Sequence, residues 1–168
     1  MKSFPTLQAA TILAAWVVLG QAALAVGDPP VVLEREYDYR LARQLIEERR
    51  FAEALSPLER LRKDFPEHAE VFSLTGFVLR KSGHYREALE KYEEALKLDP
   101  RHLGANEYLG ELFVETGRIE LAKERLSILQ SLCGTACEEA RDLAEAIAGA
   151  DTGRPAGGVR TGNAGSDH

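Results

Sequence analysis

The chain has 168 residues and a formal net charge of −6, with 29% charged and 45% hydrophobic residues. That leaves room for one domain plus tails, in a composition ordinary for a soluble helical protein. The mildly acidic balance, with no basic stripe and no aromatic platform, argues against nucleic-acid binding, which rests on neutralising phosphates with Lys and Arg.

The first 25 residues read as an export signal. Lys2 supplies the positive start, Ala9 to Leu19 the apolar run, and Ala23-Leu24-Ala25 a small-residue cleavage site. The run is shorter than the roughly 20 residues of a membrane span; an uncleaved anchor is the alternative. Cleavage removes Lys2 and no acid, taking the charge from −6 to −7. No cysteine follows the site, so a lipid anchor has no support. The mature chain is expected to begin near Val26, with 26–33 a flexible lead-in and no stable membrane span. The expected location is outside the cytoplasm, in a bacterial periplasm.

Residues 34–148 carry helical periodicity. A first helix, 31–48, turns Leu41, Ala42 and Leu45 inward, and its partner, running to Lys63, turns in Ala54, Leu55, Leu58 and Leu61. Pro57 falls inside that partner. It either kinks or restarts the helix at Ser56, at about 3 kcal/mol, or is tolerated near a first turn. Next come Phe72, Gly76 and Leu79 on one run and Ala88, Tyr92 and Ala95 on another. They are joined at Lys81-Ser82-Gly83-His84 and closed by Asp99-Pro100. A third hairpin spans about 102–131. Residues 136–148 form a last helix with Ala140, Leu143, Ala144 and Ile147 inward. From Gly149 the chain holds six glycines in 20 residues and one large aliphatic, Val159. Such a segment buries too little surface to offset its ordering entropy and is expected to be disordered.

The hairpins are copies of one another. Pro66 and Pro100, and His68 and His102, stand 34 residues apart. Ala54, Ala88 and Ala122 share that period, as do Ala42, Gly76 and Gly110, and Gly83 and Gly117 hold the same hinge. The pattern resembles the tetratricopeptide repeat family: a large residue, Leu-Gly, an aromatic, then Ala, an aromatic, Ala and Pro. The resemblance implies an all-α, right-handed α-solenoid of three helix-turn-helix repeats, about 35–68, 69–102 and 103–135, closed by the 136–148 capping helix. Ala42, Gly76, Ala88, Tyr92, Ala95, Pro100, Gly110 and Ala122 are its packing and termination positions. The first copy departs most, with Asp38 at the large position, Arg49 at the hinge and Pro57 in the second helix.

In the family the first helices line a concave groove that binds peptides or proteins. By position the groove here presents Tyr39, Arg43 and Ile46; Ser73, Phe77, Arg80 and Lys81; and Glu107, Tyr108, Glu111 and Val114. The lysines and asparagines with which some members grip a C-terminal carboxylate are missing, and Arg43 stands at an asparagine site. Arg43, Arg80 and Lys81 are expected to attract an acidic segment, while Glu107 and Glu111 repel one. Phe77 either binds a partner or packs between hairpins.

The two cysteines, Cys133 and Cys137, sit between the third hairpin and the cap. In an oxidising compartment a structural disulfide that sets the angle of the capping helix is expected. Free thiols, or thiol and metal handling, are the alternatives. Thioredoxin-like and haem-attachment spacings are absent, and a zinc site lacks ligands. His68, His84 and His102 fall at turns without the i, i+4 pairing of metalloprotease helices, and no nucleophile has a base. No catalytic residue, metal or cofactor is expected. The leading reading is a non-enzymatic interaction scaffold in the cell envelope with an unidentified protein or peptide partner, self-association remaining open.

Overall fold

A computed structural model describes residue 33 and residues 36–151. The proposed signal, most of the lead-in and the glycine-rich tail lie outside the described residues. Those described form seven helices and no strand: α1 (Tyr37–Glu47), α2 (Phe51–Asp64), α3 (Ala69–Lys81), α4 (Tyr85–Leu98), α5 (Leu103–Glu115), α6 (Ile119–Cys133) and α7 (Glu138–Asp151). They pair as hairpins α1–α2, α3–α4 and α5–α6, with α7 packed on α5 and α6. This is the all-α solenoid that the period implied.

Small residues sit where two helices touch. Ala42, Ala54, Ala88, Ala95 and Ala122 are fully buried, as is Tyr92. A Cβ built on Gly76 would lie 2.6 Å from Cε1 of Tyr92, so that glycine admits the ring. In the third repeat the same position, Gly110, is covered from elsewhere: its Cβ would lie 2.4 Å from Leu143 of α7. One apolar cluster joins α1, α2 and α3, and a larger one runs from α4 to α7 through Leu109, Leu112, Leu129 and Leu143. Phe72, Ala95 and Ala105 bridge the second and third hairpins.

The hinges share one backbone form. Gly83 and Gly117 have φ of 81° and 73°, and Arg49 takes the same left-handed conformation at 60°. In each case the next amide donates back to a carbonyl of the preceding helix: Arg50 to Leu45, His84 to Leu79 and Arg118 to Phe113. Such a closure satisfies carbonyls a helix end leaves unpaired, so Arg49 replaces the glycine without changing the turn.

Pro57 neither restarts the helix nor sits in its first turn. It lies buried at the seventh residue of an uninterrupted α2. Asp38, the first copy's departure from a large residue, makes a two-pronged ion pair with Arg60 of α2 at 2.8 and 2.7 Å. The arginine holds its carboxyl below the usual range. An ion pair thus ties this hairpin where Phe72 ties the next. The last helix also runs to Asp151 rather than ending at 148.

Candidate partner-binding face

The first helices α1, α3 and α5 carry the residues expected to face a partner, and the structure sorts them into three groups. Tyr39 is half-buried, and its hydroxyl lies 3.3 Å from Oε1 of Glu70 at the start of α3. The other oxygen of Glu70 lies 3.1 Å from Nε2 of His102, whose Nδ1 accepts the Ala105 amide and caps α5. Tyr39, Glu70 and His102 therefore link the three repeats along the openings of their first helices. Residue patterning missed this link because its members fall at unequal repeat positions.

Phe77 lies between two aromatic neighbours. Its ring centroid is 6.2 Å from Phe51, edge-on, and 4.9 Å from Tyr108 in the next repeat. The Arg80 guanidinium and the Lys81 ammonium stand 5.5 and 5.4 Å from its centre. Packing between hairpins thus engages this residue, which is half-buried and not sealed in the core.

Arg80 does not belong among the residues free to bind. It is 2% exposed, donating to Glu115 at 2.6 Å, to Glu111, and at 3.4 Å to the Tyr92 hydroxyl. Burial works against its charge, yet Glu111, Tyr92 and Glu115 outweigh that and raise its pKa. The expectation that Arg80 attracts an acidic segment is corrected accordingly: its charge is taken up by the adjoining repeat. Glu111, expected to repel such a segment, is the other half of this pair.

That leaves Arg43, exposed and without an ion pair among the described residues, and Lys81 as cations of this face. Lys81 is held below the usual lysine range by its partly desolvated position and by Arg80. At the opposite end stands Glu107, half-buried beneath α7. Burial first, then Glu111, Asp142 and Glu139, push its carboxyl up to about 8. Burial likewise raises the Tyr108 hydroxyl. The face is cationic toward the first repeat and carries a neutral acid near the cap. Ser73, at the repeat position of Glu107, is fully buried with its Oγ unpartnered, and Val114 is buried as well.

At the far end, the Cys133 and Cys137 sulfurs lie 2.02 Å apart and their Cα atoms 5.9 Å apart. With the Glu139 carboxylate they form a group whose ligand atoms all lie within 4.8 Å.

Two tetratricopeptide repeat models match the chain, one over residues 36–68 and one over 69–102, the two hairpins the geometry delimits. Residues 36–102 are thus two tetratricopeptide repeats. A tetratricopeptide repeat-containing protein of Rhizobium etli is 31% identical over 111 residues, 64% of this chain and 54% of that protein. The match thus spans about half the relative's length. Among solved structures, the TPR2B domain of yeast Sti1 in its pHsp70 complex aligns with a TM-score of 0.61 at 19% identity. It covers 68% of this chain and 94% of that one, and at that identity the likeness concerns the fold. Tetratricopeptide repeats are interaction scaffolds, and that coarse role applies to this chain.

Proposed function

We propose that this tetratricopeptide repeat protein is an exported, non-enzymatic adaptor of the cell envelope that binds an extended partner segment on its first-helix face. The observation that carries the reading is the pair formed by Phe77 and Tyr108, half-buried rings 4.9 Å apart from successive repeats. Aromatic anchors flanked by unpaired cations are the side chains that dominate interfaces, and Arg43 and Lys81 flank this pair. The partner best suited to the face has apolar side chains and an acidic group toward the first repeat. The Sti1 domain, solved in a pHsp70 complex, supports peptide binding as the mode.

Export rests on Lys2, the apolar run and Ala23-Leu24-Ala25. Among the described residues no helix is long and apolar enough to cross a membrane. In an oxidising envelope Cys133 and Cys137 would be paired, fixing the departure of α7. Reduction would free two thiols beside Glu139, and thiol or metal handling is the second reading. Thiol alkylation with and without reductant separates the two: labelling only after reduction fits the adaptor, and labelling without reductant fits the second reading.

Crosslinking capture from the native envelope tests the adaptor. The wild type is compared with Arg43→Glu, an exposed change, and with Phe77→Ala, whose folding is checked by circular dichroism. Recovery of the same proteins by wild type and Arg43→Glu would refute this use of the face.

A further inference from the structure

A second open site lies between the second helices of repeats two and three, away from the face just described. Leu96 of α4, Leu109 and Phe113 of α5, and Leu121 of α6 line a cavity of about 370 Å³. That is within the range of small-ligand sites. Leu121 is 38% exposed at its mouth. Arg125 and Lys97 stand on the lining, with the exposed acids Glu93 and Glu124.

The repeat register shows what Arg125 lacks. The equivalent residue one repeat earlier is Lys91, whose ammonium lies 5.7 Å over the Phe72 ring and 3.6 Å from the Glu94 carboxylate. In the third repeat Asn106 stands at the place of Phe72 and Ile128 at that of Glu94. Arg125 has therefore lost both the ring and the carboxylate. It reaches instead to Oδ1 of Asn106, a long contact of 3.4 Å, and its Nε is buried with no acceptor. Asn106, fully buried, spends its amide on the Pro100 and His102 carbonyls. A buried donor without an acceptor is rare and calls for one. The exposed carboxylates of Glu93 and Glu124 do not meet it.

We propose that this cavity binds the carboxylate-bearing end of an apolar peptide, its side chains on Leu96, Leu109, Phe113 and Leu121 and its carboxylate on Arg125. The missing Glu94 equivalent is then supplied by the ligand. A guanidinium suits this task because it pairs with a planar carboxylate through a charge-assisted hydrogen bond. The site is separate from the first-helix face and does not depend on the adaptor reading.

The test is an NMR titration of the uniformly ¹⁵N-labelled full chain with N-acetyl-Leu-Phe, carrying a free carboxylate, and with its C-terminal amide. The acid is expected to shift the Arg125 Nε–H resonance and the amides of Leu96, Leu109 and Leu121. The amide form is expected to bind about tenfold more weakly, having lost one charge-assisted contact. Arg125→Gln should reduce the acid to the level of the amide. Leu121→Glu, at an exposed position, should weaken both while leaving the circular dichroism spectrum unchanged. Equal shifts from acid and amide, shifts confined to α1 and α3, or none at millimolar peptide would overturn the proposal.

Discussion

Arg80 on α3 and Glu115 on α5 are 35 residues apart, and their side chains meet at 2.6 Å with the guanidinium out of solvent. Glu111 and the Tyr92 hydroxyl complete its surroundings. Removing one partner of a buried pair leaves a desolvated charge, which costs roughly 3–5 kcal/mol. Arg80→Ala is expected to lower stability by about that much in urea denaturation. Glu115→Gln, which leaves Glu111 in place, should cost less. Equal stability of wild type and Arg80→Ala would show that the pair contributes nothing net.

Glycines 76 and 104 should respond in opposite ways to the same change. At Gly76 an added methyl collides with the buried Tyr92 ring, whereas at Gly104 it meets Tyr108 and His102 at 3.5 Å or more. Gly76→Ala is expected to cost roughly 1–3 kcal/mol through overpacking. Gly104→Ala should gain roughly 0.4–1 kcal/mol by restricting the unfolded chain. Thermal melts of the two variants check both signs.

Arg49 holds a left-handed backbone at φ 60° where the other hinges have glycine. That conformation costs an L-residue roughly 1–2 kcal/mol. Arg49→Gly should therefore stabilise the protein, by less than that amount because glycine loses more freedom on folding. A fall in the urea midpoint would contradict the strain.

Glu107 makes stability depend on pH. Its folded-state value is about 8, raised by burial and by Glu111, Asp142 and Glu139, against an ordinary 4.5. Below pH 4.5 both folded and unfolded states hold the proton. Between 4.5 and 8 only the folded state holds it, so stability falls as pH rises through this window. Glu107→Gln is expected to be near neutral at pH 4 and stabilising by about 1–2 kcal/mol at pH 9, after allowance for solvent screening. Denaturation of both proteins across pH 4–9 measures it, and parallel curves would rule it out.

Much of the architecture was legible along the chain. A 34-residue period, an inward stripe on each run and glycine or proline at each junction specify hairpins, because these features are local and each repeat restates them. Ala88, Tyr92 and Ala122 are buried as their spacing implied. The last amphipathic run also indicated a helix covering the open end, for its apolar stripe needed a surface.

The candidate site was legible only in outline. Patterning placed Arg80 on the correct helix and face, but whether it was free depended on Glu111 and Glu115 one repeat away. Phe77 stood open to two readings until the positions of Phe51 and Tyr108 were known. Gly110 kept its repeat position yet exchanged its partner for Leu143 of the cap.

The sequence by itself determined the repeats, their hinges and the faces they bury, since helical periodicity and backbone freedom act within a few residues. Only the tertiary structure decided which charges are spent and which remain. Arg80 is neutralised between repeats, while Arg125 keeps a buried Nε without an acceptor. Both side chains are arginines on amphipathic helices. What separates them is whether stacking the next helix brings a carboxylate within reach, and no local pattern records that distance.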